Sequence, residues 1–203
     1  MSNEFERKHR HSGSGHFRGH FSSLFDSEKA LRAIGLKRGD TLLDAGCGEG
    51  RFSIPALEIV GDRGKVYAVD ISEKSIKILK ENIKKSDIKN IEAFAGDITK
   101  NLPIKNESID ICLMANVLHG LVANKEVESA LKEMYRVLKP NGSLVIIDFK
   151  KIDGPPGPSK SIRLTPEEVE EIIGKYGFKK KKVSEIGEYH YAITFVKKLS
   201  REG

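Results

Sequence analysis

Leu42-Leu43-Asp44-Ala45-Gly46-Cys47-Gly48-Glu49-Gly50 runs from a short apolar stretch straight into three alternating glycines, and Val66-Tyr67-Ala68-Val69-Asp70 follows as a second apolar stretch ending on a carboxylate. The first reads as a buried strand, a tight turn and the start of a helix. A turn of this kind needs glycine for positive φ and so that backbone can approach a ligand closely. Twenty residues beyond Gly50, Asp70 closes the next strand, where a carboxylate can accept hydrogen bonds from both hydroxyls of a ribose. In open parallel sheets, ligands bind outside the carboxyl ends of the strands where the strand order reverses. The two segments together describe a nucleoside site.

Working outward, helical and strand patterns alternate from Asp26 onward, as expected of a parallel sheet covered by helices. A first helix is expected from Ser27 to Ile34 with Gly35 capping its end. The helix after Gly50 carries Phe52, Ala56 and Ile59 and tolerates Pro55 in its first turn. Ile76, Leu79 and Ile83 share a helical face, and IEAFAGD (91–97) then supplies a third strand. SIDICLMANV (108–117) reads as a strand near the sheet centre, since Ile109, Ile111, Leu113 and Met114 leave little polar alternation. Val127, Ala130, Leu131, Met134, Val137 and Leu138 follow helical spacing, LKPNG turns, and SLVIIDF (143–149) is the fifth strand. Thr165-Pro166-Glu167-Glu168 combines a capping box with proline at the first helical position, starting a helix to about Tyr176. FKKKKVSEIG (178–187) and YHYAITFVKK (189–198) form a terminal antiparallel pair joined at Gly187.

Residues 1–22 are polar, rich in His and Gly and without periodicity, and read as a flexible arm preceding one domain over 23–203. The basic residues at the start have no apolar segment behind them, so neither a secretory signal nor an anchor is expected, and no stretch reaches the ~20 apolar residues of a membrane span. A cytoplasmic location is the expectation. Cys47 and Cys112 lie in glycine-rich or apolar runs, which argues against disulfides and zinc. The formal charge of +6 suits an anionic partner such as nucleic acid, but a solvated lysine-rich surface explains it as well. The absence of Gln and Trp beside many Lys and Glu fits a protein from a hot environment.

The dinucleotide fingerprint is G-x-G-x-x-G, whereas Gly46, Gly48 and Gly50 give G-x-G-x-G followed by Arg51. Asp44 and Glu49 flank the turn and would repel a pyrophosphate, but they suit an ammonium and a sulfonium. LLDAGCGEG resembles motif I of class I S-adenosylmethionine-dependent methyltransferases, and VYAVDIS their acidic second motif. AGDI (95–98), LMANVLHGL (113–121) and EMYRVLKPNGSLVIIDF (133–149) resemble the later motifs in order, so the resemblance spans roughly residues 28–150. The nearest group is the ubiquinone/menaquinone-biosynthesis type. The resemblance implies a Rossmann-like α/β three-layer sandwich, with a seven-stranded, mostly parallel sheet ending in a C-terminal antiparallel hairpin. The cofactor it implies is S-adenosyl-L-methionine, with S-adenosyl-L-homocysteine as product. Asp44 and the backbone of Gly46, Cys47, Gly48 and Gly50 would hold the methionine portion, and Asp70 the ribose. Ile71 would pack on adenine, Asp97 and Ile98 would fix its edge, and Ala115 and Asn116 would line the reactive end.

Methyl transfer from sulfonium is an in-line displacement on an activated carbon, so alignment can supply most of the acceleration. A base is needed only where the acceptor loses a proton, and His119, just past the fourth strand, is the candidate; a packing role is its alternative. Met114-Ala115-Asn116-Val117 lacks the pattern expected for methylating nucleobase amino groups, and the two cysteines do not supply the thiols of arsenic methylation. A small organic acceptor is therefore expected. The alternatives are an RNA- or protein-directed methyltransferase, a non-catalytic cofactor-binding module, or a nucleotide-linked oxidoreductase. His9, His11, His16 and His20 match no compact metal-ligand set; the arm, with Phe17 and Phe21, would alternatively fold over the acceptor as a lid. Lys179–Lys182 is expected to protect a sheet edge. The acceptor itself and the oligomeric state are not legible.

Overall fold

The fold is given by a computed structural model, which describes residues 25–84, 89–153 and 157–198 of the 203. The expected arm and its histidines lie outside the described residues, as do positions 154–156 of the glycine- and proline-rich loop. The elements are α1 (Ser27–Ala33), β1 (Thr41–Ala45), α2 (Ser53–Val60), β2 (Lys65–Asp70), α3 (Glu73–Lys84), β3 (Ile91–Ala95) and β4 (Ile109–Ala115). After them come α4 (Leu118–Ala123), α5 (Val127–Val137), β5 (Leu138–Phe149), α6 (Pro166–Gly174), β6 (Phe178–Ile186) and β7 (His190–Lys197).

The strands form one seven-stranded sheet in the order β3-β2-β1-β4-β5-β7-β6. β1 to β5 are parallel, and β7 is inserted antiparallel between β5 and β6. The chain builds outward from β1 to β3, then crosses back to lay β4 on the other side of β1. The loops leaving β1 and β4 therefore diverge, and a crevice opens at their carboxyl ends.

Each face of the sheet is covered by helices, giving three layers. Leu118, Leu131, Met134, Val137, Val169 and Ile173 carry α4, α5 and α6 onto one face. Leu31, Ala56 and Val60 carry α1 and α2 onto the other, and Ile76 and Leu79 seat α3 beside them. Leu131, Met134 and Val137 are fully buried, and each such side chain contributes roughly 1.5–3 kcal/mol. The helix starts follow from capping. Asp26 Oδ1 accepts from the amides of Glu28 and Lys29 at 2.9 and 3.1 Å, and Thr165 and Glu168 form the reciprocal box at the head of α6.

Three local features differ from the sequence reading. β4 stops at Ala115, because Asn116 takes a left-handed φ of 58° and turns the chain out of the sheet. The short helix α4 follows, unexpected because its six residues are too few to show a helical period. LKPNG also belongs to β5: Leu138 already pairs with Ile109, and the register then shifts so that Ser143 pairs with Ile111. Asn141, at φ 63°, absorbs the turn inside the paired segment.

Candidate active site

The glycine turn is tied to the neighbouring strand at both backbone and side-chain level. The amides of Gly46 and Cys47 both donate to the Val69 carbonyl, at 2.8 and 3.0 Å. Gly46, Gly48 and Gly50 have φ of 88°, 55° and 94°, the left-handed region in which a side chain is strained. A Cβ on Gly46 would lie 2.4 Å from Val117 Cγ2, and one on Gly50 2.4 Å from Leu79 Cδ1. The turn is thus wedged between the end of β4 and α3. A Cβ on Gly48 would meet nothing within 4 Å, so this glycine borders open space. The Gly48 amide donates to Asp70 Oδ2 at 2.8 Å and the Ser72 amide to Oδ1 at 2.8 Å, which orients the carboxylate along the crevice.

The carboxyl ends of β3, β2, β1 and β4 are neighbours in the sheet, and the residues expected to bind cofactor fall on them. Ile71, one step past Asp70, is 60% exposed, an apolar side chain that no described residue covers. Asp97 follows β3 and is half-buried; its Oδ1 accepts from the amide and hydroxyl of Thr99 at 2.9 and 2.6 Å, which makes it a turn former whatever else it binds. Ile98 is buried beneath it. Ala115 ends β4 opposite Ile147, and the Asn116 amide donates to the Ile147 carbonyl at 2.8 Å. Asn116 Oδ1 is buried and has no hydrogen-bond partner among the described residues. A buried acceptor left this way costs roughly 1–3 kcal/mol and marks a place where a donor is missing.

Asp44 sits in β1, one residue before its end. Its carboxylate is 1% exposed and accepts from the Ser53 hydroxyl at 2.6 Å. Burial, with Asp70 nearby, raises its pKa to about 7 against the pull of Ser53. The Cys47 thiol is buried and donates to the Gly48 carbonyl at 3.5 Å, and burial first, then Asp44 and Asp70, push it well above the ordinary thiol range.

His119 stands in the first turn of α4, and its Nδ1 lies 2.8 and 3.0 Å from the two carboxylate oxygens of Asp148. Asp148 is fully buried near the end of β5, and its Oδ1 also accepts from the Phe149 amide at 2.8 Å. Sequence reading missed Asp148, although the signal was present: like Asp70, it is a carboxylate closing an apolar parallel strand. On the opposite face of the sheet, His190 is completely buried between Phe149 and Phe25, with ring centroids 4.1 and 4.8 Å away. Arg51 stacks over Phe25 at 4.3 Å, so the residue after the glycine turn is held by the segment that enters α1. Among the described residues, no group of His, Cys, Asp and Glu suits a metal ion, and no helix is long and apolar enough to cross a membrane.

A parallel sheet with a glycine turn after its first strand, an acidic end to its second and a polar crevice at the order reversal defines an α/β protein that binds a nucleoside cofactor. The chain matches the methyltransferase domain family over residues 36–190, most of its length, and belongs to that family. A SAM-dependent methyltransferase from Aquifex aeolicus is 33% identical, with a TM-score of 0.79 over 86% of this chain and 90% of that one. The demethylmenaquinone methyltransferase of Listeria welshimeri is 33% identical over 121 residues, which is 60% of this chain and 50% of the relative. That of Lactococcus lactis is 35% identical over 120 residues, 59% of this chain and 46% of the relative. The chain therefore spans about half the length of the curated relatives it matches.

Proposed function

We propose that this protein transfers the methyl group of S-adenosylmethionine to a small organic acceptor. The observation that carries the reading is the meeting, at four adjoining strand ends, of the Gly46–Gly50 turn, the oriented carboxylate of Asp70 and the partnerless Asn116 Oδ1. These groups fit the cofactor: Asn116 Oδ1 lacks a donor that an ammonium provides, Asp70 has lone pairs left for a ribose, and the space beside Gly48 admits a ligand against backbone. Ile71 offers the adenine an apolar face, with Asp97 and Ile98 at its edge, and Asp44 and Glu49 bias the crevice toward a cation.

When bound, the cofactor supplies a methyl carbon activated by positive sulfur. The chain's own work is to align donor and acceptor and, where the acceptor carries a proton, to accept it on His119. The curated relatives are named for demethylmenaquinone, so an aromatic ring of the quinol type is the first acceptor to try.

Calorimetry with S-adenosylhomocysteine tests the cofactor half. The wild-type protein is expected to bind it and to give no heat with a nicotinamide dinucleotide; Asp70→Ala is expected to weaken binding at least tenfold, about 1.4 kcal/mol. Binding should also weaken as pH falls through about 7, where Asp44 gains a proton and loses its attraction for the ammonium, and Asp44→Asn should remove that dependence. Mass spectrometry of cell extract incubated with a labelled methyl donor tests the acceptor half. Label is expected in the low-molecular-weight fraction; label confined to RNA or protein would overturn the acceptor class.

A further inference from the structure

From the contact between His119 and Asp148 we infer that Asp148 is a positioning residue that makes His119 a general base, and that the acceptor carries an ionisable hydroxyl. The inference rests on the methyltransferase reading and adds the proton chemistry to it.

Asp148 is fully buried, and its carboxylate is held from three sides. The Phe149 amide donates to Oδ1 at 2.8 Å, the His119 amide approaches Oδ2 at 3.4 Å, and the ring Nδ1 of His119 lies within 3.0 Å of both oxygens. A carboxylate only accepts, so the ring atom facing it must be the protonated one. In the neutral ring that puts the proton on Nδ1 and leaves Nε2 as the acceptor. Nε2 makes no hydrogen bond to any described residue, and the His119 side chain is 14% exposed, so the ring is not sealed away. A histidine used only for packing has no need of a fully buried carboxylate behind it; one that must take up a proton gains a counter-charge there.

The chemistry then selects the acceptor. Nε2 takes the hydroxyl proton. The electron pair released on oxygen, or delocalised onto an adjacent ring carbon that afterwards yields its own hydrogen as a proton while the oxygen is reprotonated, forms the bond to the methyl carbon, and the carbon–sulfur pair stays on sulfur as a neutral thioether. The acceptor loses one hydrogen and gains one methyl, and one proton is released overall from the imidazolium. A neutral amine attacks through its own lone pair, and a thiol, with a pKa of about 8.5, supplies thiolate without help, so neither needs a base at this position.

The Phe149 amide also predicts what an amide in place of the carboxylate would do. In Asp148→Asn the carbonyl oxygen stays on Phe149 N, where it still accepts from His119 Nδ1, so the variant removes the counter-charge while the tautomer is kept. Ring nitrogen resonances of 15N-histidine-labelled protein, assigned with His119→Ala, read this directly. The expected result is Nδ1–H in the wild type. An Nε2–H wild type overturns the dyad, and the wild-type spectrum decides even if the variant folds poorly. Catechol, 1,4-dihydroxynaphthalene, an alkylamine and an alkylthiol, each supplied with labelled donor, test the acceptor. Label is expected on a hydroxyl probe, with kcat about 10²–10⁴-fold lower in both variants and KM changed less than threefold. Label on no hydroxyl probe overturns the acceptor class. If S-adenosylhomocysteine fails to bind the wild type, the methyltransferase reading itself falls; if it binds and the tautomer is wrong, only the dyad falls.

Discussion

His190 opens β7 with both ring nitrogens buried and no hydrogen-bond partner for either among the described residues. Burial, helped by Arg51 and opposed by Asp148, lowers its pKa from 6.5 to about 4, so the ring is neutral in the folded protein. The unfolded chain takes up this proton first as pH falls. Stability should therefore be complete above pH 6.5 and decline progressively down to pH 4, by about 3 kcal/mol at most. His190→Phe keeps the ring between Phe25 and Phe149 without the unpaired nitrogens. Urea unfolding at pH 7.5 and pH 5 should find it at least as stable as the wild type and less sensitive to acid. A variant as acid-sensitive as the wild type would show that another group controls this range. At this scale the sequence was legible where a residue type is rare for its surroundings, as with Asp70. It was silent on His190, because nothing in YHYAITFVKK says that the histidine faces a closed aromatic pocket.

Among the elements, the turn between β1 and α2 separates folding from binding most cleanly. Gly46→Ala would drive a methyl into Val117, whereas Gly48→Ala places it in open space, although both positions are left-handed. Gly48→Ala should lose only about 1–2 kcal/mol of stability, the backbone cost, yet bind S-adenosylhomocysteine at least tenfold more weakly. Gly46→Ala should lose more stability than Gly48→Ala in the same melts. Equal stability losses would mean that the turn is not wedged against β4. The capping box of α6 and the glycine pattern were visible in sequence because both depend on neighbours a few residues apart. α4 and the early start of β5 were not: a six-residue helix shows no period, and Leu138 enters the sheet through a partner strand that lies far away in sequence.

For the molecule as a whole, the long connection from β3 to β4 is braced from α5. Glu133 is 7% exposed and accepts from the Leu102 amide at 2.7 Å, while Arg136 binds Glu133 and the carbonyls of Leu102 and Ile104. Glu133→Ala would leave that amide and guanidinium unmatched. It should destabilise the protein by about 2–4 kcal/mol, after allowing for the partial exposure of Arg136. Because this connection leads from Asp97 toward β4, weaker S-adenosylhomocysteine binding should accompany the loss. A thermal midpoint within a degree of the wild type would refute the brace. On the exposed edge, Lys180 pairs with Glu170 and Lys182 Nζ donates to the Ala33 carbonyl at 2.6 Å, so the lysine run of β6 serves the surface of the fold, as its edge position suggests.

The sequence alone determined the alternation of strands and helices, the glycine turn, the acidic end of β2 and the identity of His119, because each depends on local periodicity or on a backbone conformation that only certain residues adopt. The tertiary structure alone decided that β7 lies between β5 and β6, that Asp148 stands behind His119 and that Asn116 Oδ1 has no partner among the described residues. Those facts depend on contacts between residues distant in the chain, and a hydrogen-bond partner brought close by folding leaves no mark in the linear pattern.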